Sequence, residues 1–185
     1  MNILKKVDNS TFKPSLKVKA TKLKQINWYL INIIFFKSAL PFPYSFKCRI
    51  LKLFGAKIGK NLVIKPSINI KYPWFLDIGD YVWIGENAWI DNLTNVIIGN
   101  NVCISQGAML LTGNHNYKLQ SFDLMVGKII LEDGVWIGAK SVVCPGITCA
   151  SHSILSVGSI ATKNLESYSI YQGNPAIKVK DRIIK

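Results

Sequence analysis

From Ile58 onward an aliphatic residue returns at every sixth position. The series runs Ile58, Ile64, Ile70, then Ile78, Ile84, Ile90, then Ile98, Ile104, Leu110, and finally Leu131, Ile137, Val143, Cys149, Leu155 and Ala161. Two-residue insertions reset the phase before Ile78 and Ile98, and a longer insertion precedes Leu131. Four residues after most anchors stands a second small or aliphatic residue: Leu62, Ile68, Val82, Ala88, Thr94, Val102, Ala108, Val135, Ser141, Ile147, Ser153 and Ser159. A period of six with two inward positions is neither a helix nor an alternating strand pair. It suits a short strand plus a corner, so that three hexads close one triangular coil and each coil stacks on the last. Gly59, Gly79, Gly85, Gly99 and Gly138 directly follow anchors, and Asn61, Asn87 and Asn101 sit three residues after one. Both residue types tolerate left-handed backbone at corners. The pattern predicts an all-β parallel β-helix of about five coils over residues 58–166.

The remaining segments read differently. Residues 1–57 form an arm with lysines at 5, 6, 13, 17, 19, 22 and 24, followed by an apolar run from Ile26 to Phe36. Amphipathic helices are expected near Ile26 to Ala39 and Phe46 to Phe54, separated by the breaker Pro41-Phe42-Pro43. Neither is long enough to span a bilayer. Residues 167–185 are expected to form a short tail. Of the net charge of +13, the arm carries 12 Lys/Arg against Asp8 alone, while the rest holds 11 against nine acids. The basic character therefore belongs to the arm. It could rest on an anionic membrane surface, or its apolar face could pack on the domain or on a neighbouring subunit. No nucleic-acid-binding module is recognisable in it.

Four cysteines (Cys48, Cys103, Cys144, Cys149) form no CxxC pair, and the N-terminus lacks a signal peptide's order of charge, apolar run and cleavage site. Free thiols in a reducing cytoplasm are the simplest expectation, with Cys103 and Cys149 as small buried hydrophobes of the repeat.

Between Leu110 and Leu131 residues 116–130 follow no hexad. A loop leaving a regular solenoid is a place to look for function. At its root stands His115, one of two histidines, and imidazole titrates at about 6.5, suiting it to accept a proton near neutral pH. It could equally be a polar loop residue bonding its neighbours. The other, His152, precedes the inward Ser153 and is expected on a solvated face. Two histidines fall short of the three imidazoles that a β-helix zinc hydrase requires, and no metal is expected.

The stretch from Asn114 to Pro175 contains "GNHNY", "VWIGAKSVVCPGI", "VGSIATKN" and "YQGNPA", and "LFGAKIGKN" precedes the coil. These motifs resemble the hexapeptide-repeat acetyltransferases, most closely the sugar O-acetyltransferases and those of colanic-acid and other exopolysaccharide biosynthesis. The resemblance covers most of the chain. It implies a left-handed coil, acetyl-CoA as acyl donor, and a homotrimer with sites between subunits. It also implies that His115 is the general base that takes the proton from a sugar hydroxyl as the oxygen attacks the thioester carbonyl. No acyl-enzyme is needed, so no cysteine need be a nucleophile. Backbone near Gly138 would stabilise the oxyanion, and Ala139, Thr162, Lys163 and Pro175 match the family's contacts along the pantetheine arm. Where many relatives carry phosphate-clamping arginines after "GNPA", this chain has Lys178 and Lys180, followed by Arg182; a point charge replaces a bidentate fork.

Asp91, Asn92, Asn114 and Asn116 are candidates for hydrogen bonds to an acceptor sugar, and Asp91 or Asn92 could orient the imidazole, although Asp and Asn also favour corners. The acceptor could be a free sugar, a sugar nucleotide or a lipid-linked sugar. Two other readings stay open: N-acetylation of an amino-sugar nucleotide, and a non-catalytic scaffold held at the inner face of the membrane by the arm.

Overall fold

The computed structural model describes residues 5–13, 16 and 18–185; Lys17 of the basic arm lies outside them. Short strands of two or three residues stack in parallel into three faces of a triangular coil. The first face runs Lys57–Ile58, Leu76–Ile78, Val96–Ile98, Ile129–Leu131 and Thr148–Cys149. The second begins at Val63–Ile64 and ends with Ser169–Gly173, and the third runs from Asn69–Ile70 to Ile160–Ala161. Five turns are complete, and the second face gains a strand of a sixth. The solenoid is a left-handed β-helix.

In-register stacking explains the six-residue code. Ile64 lies over Ile84, Ile104, Ile137 and Leu155, and Ile70 over Ile90, Leu110, Val143 and Ala161. Every anchor except Ile58 is buried, and so is every second inward residue except Thr94. Burying each such aliphatic side chain stabilises the fold by about 1.5–3 kcal/mol. Backbone bonds run from coil to coil, such as Val63 N–H to Val82 O and Trp83 N–H to Val102 O, both 2.9 Å.

The corners divide the roles differently from the expectation. Asn61, Asn87 and Asn101 do adopt left-handed backbone (φ 55°, 58° and 57°). The glycines after the anchors do not; they are needed because the next coil passes too close for a Cβ. A Cβ on Gly59 would lie 2.6 Å from the Gly79 carbonyl oxygen, and one on Gly138 2.6 Å from Val157 N. His152 is corrected too. It sits at a corner with φ 61°, stacked on Tyr168 at 4.7 Å, with Nδ1 buried and without a hydrogen-bond partner among the described residues. Cys149 is buried as expected, whereas Cys103 occupies an outward strand position and is half-buried.

Residues after 166 form sheet: Ser169–Gly173 extends the second face and pairs antiparallel with Ala176–Asp181. In the arm, α1 (Lys22–Ile31) starts four residues before the expected helix because the Thr21 side chain caps it, accepting from Lys24 N at 3.2 Å. It continues as a wide turn, Asn32–Phe36, and α2 (Tyr44–Leu53) follows Pro43. The inner side of the arm packs on the open end of the coil. Trp28 donates to Ile70 O at 2.9 Å, its ring contacts Phe36 and Phe54, and Lys47 is fully buried with Nζ 3.1 Å from Lys65 O. Such a cap covers core that a terminal coil would otherwise expose. Among the described residues no helix is long and apolar enough to cross a membrane.

Candidate active site

The irregular segment is a β-hairpin, Gly113–His115 against Leu124–Val126. Thr112 roots it. The buried hydroxyl donates to Asp91 O and accepts from Leu93 N, both at 2.8 Å, and the Thr112 carbonyl accepts from Gly127 N at 2.9 Å. Both arms leave the coil at glycines; at Gly127 backbone leaves no room for a side chain, since a Cβ there would lie 2.5 Å from Gly146 N, whereas at Gly113 it would meet only the tip of the Leu93 side chain.

His115 stands at the end of the outgoing arm. Its ring stacks on Phe122 at 4.4 Å with an interplanar angle of 5°, and Nδ1 lies 2.7 Å from Phe122 O. A carbonyl only accepts, so in the neutral imidazole Nδ1 carries the proton and Nε2 carries the free lone pair. This is the tautomer a general base requires. Phe122 adopts φ 50°, a left-handed conformation costly for a bulky residue, held while its ring covers the imidazole. The reading of the sequence missed Phe122, and an aromatic residue in an irregular loop carries no signal for such a role. From the arm, Asp8 N–H donates to Gln120 O at 2.8 Å and the Phe12 ring comes within 6.4 Å of His115.

The acceptor candidates separate. Asn92 is fully buried, and both halves of its amide are taken by Tyr72: Oδ1 accepts from the backbone N–H at 3.0 Å and Nδ2 donates to the carbonyl at 2.6 Å. Held there with no exposed surface, it cannot reach a sugar, which corrects its assignment. Neither Asp91 nor Asn92 orients the imidazole; the Phe122 carbonyl does. Asp91 has Oδ1 buried without a hydrogen bond, 3.8 Å from Lys71 Nζ. Asn114 is exposed and its Oδ1 accepts from His115 N at 2.8 Å, while Asn116 Oδ1 accepts from Lys118 N at 3.1 Å. The latter two shape the hairpin locally.

The donor candidates separate likewise. Gly138 is not an oxyanion donor, because its N–H is spent on Leu155 O at 2.7 Å. The neighbouring Ala139 N–H has no backbone acceptor among the described residues. Thr162, Lys163, Pro175 and Lys180 are exposed, and among the described residues no carboxylate lies within 4.0 Å of Lys163 or Lys180. Lys178 is already paired, at 2.9 Å with Asp181 and 3.1 Å with Glu166, which raises its pKa and engages its ammonium with carboxylates of the same segment. All four thiols are shifted upward by burial, Cys149 to about 12, so none offers a thiolate at neutral pH.

The fold is a regular β-helix interrupted by one hairpin, with His115 at the end of its outgoing arm. No family model matches the chain. It is 34% identical over 156 residues, 84% of its length and 86% of the relative's, to a protein of Escherichia coli (strain K12) that carries the name of a colanic acid biosynthesis acetyltransferase. It is 27% identical over 140 residues to the galactoside O-acetyltransferase of the same strain, covering 71% of this chain and 66% of that one. Among solved structures, a hexapeptide-repeat acetyltransferase of Vibrio cholerae superposes with a TM-score of 0.79 at 17% identity, over 88% of this chain and 93% of that one. The same protein in complex with acetyl coenzyme A superposes with a TM-score of 0.75. The chain belongs to the hexapeptide-repeat acetyltransferases, in the branch of the colanic-acid and sugar O-acetyltransferases.

Proposed function

We propose that the protein transfers an acetyl group from acetyl-CoA to a sugar hydroxyl during polysaccharide biosynthesis in the cytoplasm, with His115 as general base. The observation that carries this reading is the 2.7 Å contact between His115 Nδ1 and Phe122 O, which leaves Nε2 as the proton acceptor. Nε2 takes the proton of the attacking hydroxyl and returns it to the leaving thiolate, so no covalent enzyme intermediate is needed. Acetyl-CoA supplies the activated acyl group. The residues fit such a donor: the Ala139 N–H is free to donate to an acceptor atom of the ligand, and Lys163 and Lys180, without an ion-pair partner among the described residues, carry positive charge for its phosphates. Thr162 and Pro175 are exposed for the pantetheine arm. Asp91, whose side chain stays partly exposed and whose Oδ1 makes no hydrogen bond, is the acceptor-side residue that we favour.

A homotrimer follows from the same reading. The outward positions of the second face include Val63, Trp83, Cys103, Trp136 and Ile154, a ladder in which Trp83 and Trp136 remain 62% and 45% exposed. Burying such a ladder against a second copy would create the shared donor site.

The test is thiol release from acetyl-CoA with a panel of sugars, sugar nucleotides and amino sugars, comparing the intact chain with His115→Ala. Acceptor-dependent release should fall by about 10²–10⁴-fold in the variant, with the unfolding midpoint unchanged. An undiminished rate would overturn the role of His115, and preference for an amino sugar would move the reaction to nitrogen. Absence of both release and acetyl-CoA binding by titration would leave a non-catalytic scaffold.

A further inference from the structure

The helix α1 and its wide turn are apolar on two opposite sides, and the coil covers only one. Trp28, Asn32 and Phe36 face the coil and are buried. Leu23, Ile26, Leu30, Ile33 and Ile34 follow the three- and four-residue spacing of a single helical face, and are 68%, 57%, 53%, 41% and 53% exposed. Tyr29 and Leu40 are exposed beside them. Exposed lysines mark both ends of this strip, Lys22 and Lys37. Lys37 and Lys71 also line a recess of about 370 Å³ shared with Ile26 and Tyr29. Across residues 1–57 a single acid, Asp8, stands against 12 cations.

An apolar strip bounded by cations and free of carboxylates selects its occupant by charge. A second copy of the same face would bring lysines against lysines, and like charges oppose that contact. An anionic amphiphilic surface satisfies both features, with apolar side chains entering the acyl boundary and lysine stems reaching up to the phosphates. We propose that the outer face of α1 and its wide turn lies on an anionic lipid bilayer. The segment from Lys22 to Phe36 is about 22 Å long at helical rise, enough to lie in the interface and too short to cross it. The docked arm would hold the N-terminal end of the coil against the membrane. This does not depend on the acetyl-transfer reading.

The experiment is flotation of the full chain with vesicles of phosphatidylcholine, with and without phosphatidylglycerol. Wild type should float with the anionic vesicles only, and added salt should weaken that recovery. Ile26→Asp with Leu30→Asp, both at exposed positions, should lower partitioning at least tenfold while the unfolding midpoint stays the same. Lys22→Glu with Lys37→Glu should lower it roughly tenfold. Absence of flotation, equal recovery on neutral vesicles, or equal flotation of wild type and the Ile26→Asp/Leu30→Asp variant would each overturn the proposal. So would loss of assembly by that variant in sedimentation without any flotation of wild type, which would make the face a contact between copies.

Discussion

The coil and the hairpin that interrupts it are held by different kinds of contact. In the coil each residue is templated by its counterpart in the turns on either side, through stacked aliphatic side chains and coil-to-coil backbone bonds. In the hairpin the contacts are local and particular: the Thr112 hydroxyl at the root, the Phe122 ring on His115, and the Phe122 carbonyl on Nδ1. Redundant stacking gives a rigid frame, whereas the hairpin rests on single contacts that no neighbouring repeat duplicates. Substitutions in the two regions should therefore separate stability from turnover.

The largest stability effect is expected in the coil. Ile137→Ala empties a fully buried position stacked between Ile104 and Leu155, and should cost about 2–5 kcal/mol in denaturant unfolding. A cost below about 0.5 kcal/mol would break the view that the coil is cooperatively stacked. Asn92→Ala should cost about 1–3 kcal/mol, because it leaves the backbone N–H and carbonyl of Tyr72 without partners. If that variant instead raised the KM for the acceptor at unchanged stability, Asn92 would return to the acceptor site.

Phe122→Gly sharpens the contrast from the hairpin side. Glycine accepts the left-handed backbone without strain but removes the ring stacked on His115, so kcat should fall about tenfold as the imidazole loses its fixed orientation. The thermal midpoint should hardly move. The last effect is absent at neutral pH and develops only in alkali. Burial raises the Cys149 thiol to about 12 in the fold, from 9.0 otherwise. The folded state therefore keeps a proton that the unfolded chain releases, so the contribution of Cys149 to stability should be constant below pH 9 and decline as pH rises toward 12. Cys149→Ala should flatten that decline in a pH series of unfolding midpoints.

The coil was legible in the sequence because its physics is periodic. A side chain stacked on its own kind every turn leaves a repeat that survives insertions, so the anchors from Ile64 to Ala161 could be read one by one. The corner asparagines were legible for the same reason. The glycines were found but their cause was not, since close approach of the next coil is invisible until the coils are stacked. His115 was legible through its place at the break in the repeat and its resemblance to family motifs. The role of Phe122, the burial of Asn92, the spent N–H of Gly138 and the paired charge of Lys178 were not, because each depends on which atoms fold back within bonding distance.

The arm marks the same boundary. Its composition predicted helices, basic charge and apolar faces, all of which are properties of residues along one chain. Which apolar side meets the coil was decided by the Trp28 indole finding the Ile70 carbonyl and by Asn32 finding Asn69. Periodicity and composition are one-dimensional and can be read from the sequence. Partner choice for a hydrogen bond, a tautomer or an exposed face requires distances in three dimensions, and only the tertiary structure decides those.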